Sequence, residues 1–497
     1  MAKRAPKTTW SQVALKWKRH QLDVEPIDRI FVNRNLRMGS IGVIGFDMDH
    51  TLAIYESEPF EVLAFTKAQE KLVSKWGYPG GVLGFRYNRD FVIRGLVVDK
   101  RLGNVLKMDE HRYVTIAYHG TGRLSTAVRK KTYANRRIRL SSRTYSVIDT
   151  LFSLPEIDLY AQMVDFLEAL GEKRIDYKEL YERVRGCMDE AHADGSIKKV
   201  IMENPERFLK ADPDLPQTLQ RLRAQGKKLF LLTNSEAAFT DGMMARLLSG
   251  HVRELPHWTD YFDAVVVEAG KPGFFVNKAD TAMKPRALDD LPDRSRGKVM
   301  AGGSVHDLEE MLGFKGDQVL YFGDHTYGDI LKSKHASGWR TAMIIQDLQR
   351  EILTMASTAG LRKRLLLMNR QRDRLVGWRD FLVRSREGQL GRKLADALLG
   401  RLAATRGTGP RGFSENLADL EKAISDLDRR IEGVEARMRD AFNPNWGPIF
   451  KAGRENSHFG AQVRSFACIY SARVSNFLNY PVDKYFLAPH EFMPHEL

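Results

Sequence analysis

Asp47 and Asp49, in Asp47-Met-Asp-His-Thr51, directly follow the apolar run Ile41–Phe46. Two carboxylates two residues apart, just past a strand end, can face one site. One can attack an electrophile while the other carries protons. Three further apolar runs also end in reactive residues. Leu229–Leu232 precedes Thr233-Asn234-Ser235, whose hydroxyl, amide and N–H groups suit phosphate oxygens. Asp263–Val267 leads to Gly270-Lys271, a cation able to neutralise phosphate charge. Gln318–Phe322 precedes Gly323-Asp324-His-Thr-Tyr-Gly-Asp329, two acids whose oxygens suit Mg²⁺. Each piece alone also has a plainer reading as turn acids, a helix cap or an exposed lysine.

The elements that must position these residues are legible in outline. Apolar runs this short read as buried parallel strands, and helical stretches such as Leu215–Gln225 separate them. The pattern predicts an α/β fold: a doubly wound, Rossmann-like parallel sheet with its site at the carboxyl ends of the strands. About 180 residues lie between the first two runs, too many for one crossover. An inserted α+β cap domain is therefore expected over 57–215. It would hold a helix over Glu61–Trp76, a hairpin of Phe91–Asp99 against Asn104–Met108, a basic segment, and helices from Pro155 to Glu203. The core would comprise 1–56 and 216–349. A helical extension would follow over 350–440, then a segment over 441–497 packing on the core. Leu417, Leu420, Ile424, Leu427, Ile431, Val434 and Met438 form one apolar helix face. Gly407–Gly412 reads as an exposed loop.

The motif order, DxDxT, then a strand ending in Thr, then Lys, then GD-x4-D, is that of the haloacid dehalogenase-like phosphatases. Longer stretches resemble the cytosolic purine 5′-nucleotidase family, the IMP/GMP-preferring type. They are Gly45–Tyr55, Thr150–Glu156, Ala269–Phe275, Gly323–Lys334 and Phe492–Glu496. The similarity runs from about Phe31 to the C-terminus. It implies a Mg²⁺-dependent hydrolase of purine nucleoside monophosphates. Asp47 would be the nucleophile and Asp49 the acid and base. Thr233, Asn234, Ser235 and Lys271 would hold phosphate. Mg²⁺ would sit on Asp47, the Asp49 carbonyl, Asp324 and Asp329.

The stretch Arg185–Lys198 resembles the family's substrate-binding segment. Arg185, Asp189 and His192 share one helix face and, with Lys198 and Phe152, would read the purine nucleotide. Their plainer readings are a helix ion pair, a surface histidine, a solvated lysine and a core phenylalanine. The resemblance also implies a nucleotide effector site near Asp149, Arg139, Tyr327 and His335. Asp149 and His335 depart from the family's asparagine and lysine, and Asp149 would disfavour an anionic effector.

The chain holds 78 Lys and Arg against 63 Asp and Glu, net +15. The surplus is clustered: +6 over 1–40, +8 over 123–143 and +10 over 361–411. A solvated face, or subunit contacts in a homo-oligomer (a dimer or tetramer), is the favoured reading. Nucleic acid is the less favoured partner, because no RNA-binding signature accompanies the charge. With two cysteines a disulfide framework is excluded. No apolar run is long enough to span a membrane and the start lacks a secretory pattern, so a cytoplasmic enzyme of purine metabolism is expected. Two rival functions stay open: a phosphatase for another small phosphomonoester, and a nucleic-acid-binding or scaffold protein on a vestigial phosphatase core.

Overall fold

The expected strands form because their residues are buried on both faces and rich in Val, Ile, Leu and Phe, the pattern of a sheet covered by helices. In the computed structural model of the chain they are β2 (Val43–Phe46), β3 (Lys228–Leu232), β4 (Ala264–Val267) and β7 (Val319–Gly323); the sheet also holds five strands beyond those expected, β1 (Phe31–Val32), β5 (Lys284–Pro285), β6 (Val299–Ala301), β8 (Arg340–Ile344) and β9 (Ile469–Ser471). The structure describes residues 24–134, 136, 138–172, 174–276, 283–286, 297–386 and 417–489. Among these, one nine-stranded sheet has the order β1-β9-β8-β7-β2-β3-β4-β6-β5. The inner pairings are parallel, and β1 and β5 are antiparallel edges.

This order places the site. From β2 the chain builds outward through β3, β4 and β6, then returns to the other side of β2 with β7. The crevice between β2 and β7 is thus a topological switch point, where α/β sheets bind ligands. Register fixes the meeting: Phe46 pairs with Phe322, and the Asp47 N–H donates to the Phe322 carbonyl at 2.8 Å. Gly45 is required because a Cβ there would lie 2.0 Å from the Phe230 ring.

The segment between β2 and β3 holds helices α1 (Ser57–Trp76), α2 (Leu154–Ala169), α3 (Tyr177–Ala193) and α4 (Ser196–Glu203). It also holds a separate five-stranded antiparallel sheet. The hairpin there is shorter than expected: Leu96–Asp99 pairs with Asn104–Met108, and 91–95 is not strand. Gly95, at φ +86°, turns the chain where a Cβ would meet Phe459 at 2.5 Å. The segment leaves and returns through one neck, a bridge between Tyr55 and Leu209. There the Glu56 N–H donates to the Phe208 carbonyl and the Lys210 N–H to the Ile54 carbonyl. After β3 the chain continues into α5 (Ala237–Leu248).

Residues 351–448 form a second compact unit. In it α6 (Ala359–Arg386) packs on α7 (Leu417–Phe442). Met368, Leu375 and Trp378 meet Leu420, Ile424, Leu427, Ile431 and Val434, the face expected for the second helix. Arg362, Lys363, Arg364 and Arg370 are exposed on α6, as are Lys130 and Lys131 of the middle basic segment. Residues 1–23 of the first basic segment, 387–411 of the last, the Gly407–Gly412 loop and Phe492–Glu496 lie outside the described residues. No helix among the described residues is long and apolar enough to cross a membrane.

Candidate active site

Asp47 sits one residue past β2, buried. Its Oδ1 accepts the Met48 N–H at 2.8 Å and pairs with Lys271 Nζ at 2.8 Å. Lys271 comes from the loop after β4. Two amide contacts hold that loop: Asn234 Nδ2 donates to the Lys271 carbonyl at 3.0 Å, and the Lys271 N–H donates to Asn234 Oδ1 at 2.6 Å. The lysine also pairs with Asp329 Oδ1 at 2.8 Å and donates to the Tyr321 hydroxyl at 3.0 Å. Burial opposes its charge, but Asp329 and Asp47 outweigh burial and hold its pKa well above the usual lysine value.

Asp324 and Asp329 follow β7 and differ in what they touch. Asp329 accepts Lys271 on Oδ1 and the His325 N–H on Oδ2 at 3.3 Å. Gly323 makes this approach feasible, since a Cβ there would lie 2.5 Å from the Asp329 Cβ. Asp324 Oδ2 is buried without a hydrogen-bond partner, and burial, with Asp329 adding, lifts Asp324 to about 7. Burial likewise raises Asp47 well above the carboxylate range; Lys271 pulls it back, and Asp329 and Asp324 push it further up.

Carboxylate oxygens of Asp47, Asp324 and Asp329 lie within 4.8 Å of one another. Three buried acids against one lysine leave an excess of negative charge that burial makes expensive. An all-oxygen set with an unsatisfied carboxylate atom fits a hard divalent cation such as Mg²⁺.

Asp49 is held by two hydroxyls. Tyr55 donates to Oδ1 at 2.6 Å and Ser235 to Oδ2 at 2.8 Å. Ser235, expected at phosphate, thus directs its hydroxyl proton to Asp49 in this structure. Thr233 is fully buried, and its Oγ1 accepts the Ser235 N–H at 3.0 Å.

Beside Asp49 lies a cluster of aromatic rings. Phe152 meets His50 edge-on with ring centres 4.6 Å apart and His192 at 5.2 Å; Phe60 and Tyr55 complete the group. The Nε2 atoms of His50 and His192 are buried without partners. Burial keeps both rings neutral, lowering His50 to about 3 and His192 to about 4. Arg185 pairs with exposed Asp189 at 3.3 Å and with fully buried Glu156 at 3.4 Å. Glu156 holds the guanidinium charged. Lys198 pairs with Glu236 at 3.1 Å, next to Ser235.

The structure therefore brings Asp47, Asp324, Asp329 and Lys271 together, and Phe152 with His192. Arg185 and Asp189 make the helix ion pair that the plainer reading anticipated, anchored from beneath by Glu156. Asp149 Oδ2 lies 3.8 Å from His325 Nδ1, and Arg139 is exposed. The side chains of Tyr327 and His335 lie outside the described residues. Sequence reasoning missed Tyr55, His50, Phe60, Glu156 and Tyr321. Tyr55 and His50 carried a signal, since both fall inside the Gly45–Tyr55 motif. Glu156 carried another, as an acid on the apolar helix α2.

A family model described as "5′ nucleotidase family" matches residues 30–497. The human "5′-nucleotidase domain-containing protein 2" is 27% identical over 488 residues, covering 94% of this chain and 85% of that protein. Among solved structures, an archaeal β-phosphoglucomutase from Pyrococcus sp. strain ST 04 matches at 12% identity and a TM-score of 0.28, covering 61% of this chain and 86% of that one. A 2-haloacid dehalogenase from Pseudomonas syringae pv. tomato DC3000 matches at 15% identity and a TM-score of 0.22, with the same two coverages. Model match and site chemistry agree: the chain belongs to the 5′ nucleotidase family and is a phosphoric monoester hydrolase.

Proposed function

We propose that the chain is a Mg²⁺-dependent 5′-nucleotidase that hydrolyses purine nucleoside 5′-monophosphates, IMP and GMP, through an aspartyl-phosphate. One observation carries the reading: Asp47 pairs with Lys271 inside a buried cluster of three carboxylates at the switch point of the sheet. Oδ1 of Asp47 is engaged by Lys271 and the Met48 N–H, so Oδ2 is the attacking atom. It bonds to phosphorus as the bond from phosphorus to the ribose 5′-oxygen breaks. Asp49 gives that oxygen a proton, then takes one from the water that hydrolyses the intermediate. The hydroxyls of Tyr55 and Ser235 can donate or accept, so they hold Asp49 in both protonation states. Lys271, and Mg²⁺ held by Asp47, Asp324 and the Asp49 carbonyl with Asp329 beside it, would supply the charge neutralisation that phosphoryl transfer needs.

The purine is assigned to the cluster of Phe152, His50, Phe60 and His192. Flat rings and neutral imidazoles suit a flat, uncharged, hydrogen-bonding base. Arg185 and Asp189, on the same helix face as His192, would read the base. A nucleoside hydroxyl in place of water would make the enzyme a nucleoside phosphotransferase as well. The test is phosphate release from a nucleotide panel, with and without Mg²⁺, by the wild type and Asp47→Asn. Expected are a preference for IMP and GMP over AMP and UMP, a requirement for Mg²⁺, and no turnover by Asp47→Asn. Retained hydrolysis by that variant would sink the nucleophile, and a flat profile would sink purine reading.

A further inference from the structure

Arg94 is an arginine with almost no exposed surface, a rare state for this residue unless it is paired. It belongs to the inserted segment, in the turn just before the strand Leu96–Asp99. Its described polar partners, however, belong to the core. Nε and Nη2 lie 2.9 and 2.8 Å from Asp347 Oδ2, and Asp347 follows β8. Nη1 donates to the main-chain carbonyl of Asp324 at 3.3 Å, and Asp324 follows β7. The guanidinium also lies over the Phe459 ring, 4.9 Å from its centre. One planar group thus spans two neighbouring strand ends, and its fork geometry suits that task where a lysine's single ammonium does not.

We propose that Arg94 is a positioning residue for the metal site: it fixes the main chain at Asp324 so that the Asp324 carboxylate stays with those of Asp47 and Asp329. This rests on the Mg²⁺ reading above. The arginine touches the backbone of a metal-binding residue, not the ion itself. Its positive charge also favours the ionised form of Asp324. The inserted segment thereby helps to build the metal site as well as the aromatic cluster.

The experiment is calorimetric titration of MgCl₂ into the full chain without nucleotide, for the wild type, Arg94→Met, Arg94→Lys and Asp347→Asn. Removing such an outer partner weakens metal binding by about 10- to 100-fold, and that loss is expected for Arg94→Met. Asp347→Asn keeps the cation but loosens its anchor, so it should move the same way by less. Arg94→Lys should fall between wild type and Arg94→Met. The KM for nucleotide at saturating Mg²⁺ should stay unchanged, which a general loss of structure would not give. If Arg94→Met does not fold, Asp347→Asn and Arg94→Lys carry the test. Wild-type Mg²⁺ affinity in the folded variants overturns the inference alone. No Mg²⁺ binding by the wild type overturns the metal reading and the inference with it.

Discussion

Replacing Lys271 with methionine, close in length and uncharged, isolates the charge at the centre of the site. Lys271 Nζ lies 2.8 Å from both Asp47 Oδ1 and Asp329 Oδ1. At an effective dielectric constant near 20, each contact corresponds to roughly 6 kcal/mol of Coulomb attraction. Most of that offsets the desolvation of the buried groups. Removing one partner of such a network strands the others, which costs about 3–5 kcal/mol. Lys271→Met should therefore unfold at markedly lower urea concentration than the wild type. Trp339, buried 5.7 Å from the Tyr321 ring, reports on this region by fluorescence. Asp329→Asn in the same chain removes one stranded charge. The double variant should be less destabilised than the two single losses added together, with a coupling of roughly 1–3 kcal/mol. Mg²⁺ should restore part of the stability of Lys271→Met, because a cation that binds only the folded chain replaces the missing charge. Turnover should fall about 10²- to 10³-fold, as when one charge-stabilising donor is lost. An unchanged urea midpoint, or single losses that simply add, would refute the account of Lys271 as the counter-charge of the cluster.

Gly323→Ala should displace Asp329 and, through it, Lys271. A stability loss of about 1–3 kcal/mol and reduced turnover are expected, whereas Gly84→Ala, where a new Cβ meets nothing within 4 Å, should show neither. Burial holds His192 neutral down to about pH 4, against 6.5 in the unfolded chain. Its share of stability is therefore complete above pH 6.5 and is lost as pH falls from 6.5 toward 4, amounting to about 3 kcal/mol. His192→Phe should flatten the acid limb of a thermal-melt series in that window, and an identical limb would refute the burial argument.

Four strands of the sheet, β2, β3, β4 and β7, were legible because buried parallel strands leave continuous apolar runs, and because the reactive residues follow those runs at once. Asp47, Lys271 and Asp324 could thus be placed at the carboxyl ends of strands of one sheet from the sequence alone. What each acid touches was not legible. Asp329 and Asp324 look equivalent in Gly323–Asp329, yet only Asp329 turns back to Lys271, because Gly323 leaves room for it. Ser235 and Tyr55 converge on Asp49 from positions 180 residues apart, a contact no local pattern encodes. Arg94 read as part of a hairpin, because its role depends on Asp347 and Asp324, more than 200 residues away. Glu156 looked like one acid in a helix, and its burial beneath Arg185 follows from the packing of α2 against α3.

The neck of the inserted segment closes at Tyr55, paired with Leu209, and the hydroxyl of that same residue rests on Asp49. The neck and the proposed proton-transfer group are therefore joined through one side chain. A rearrangement of the insertion that rotates the neck also moves a hydrogen bond on the residue proposed to protonate the leaving group. In evolutionary terms, everything beyond the neck could be lengthened, trimmed or exchanged to suit a new substrate, while the tyrosine at its root stays tied to the chemistry. The insertion can vary as a cassette, but only with the tyrosine at its root left in place.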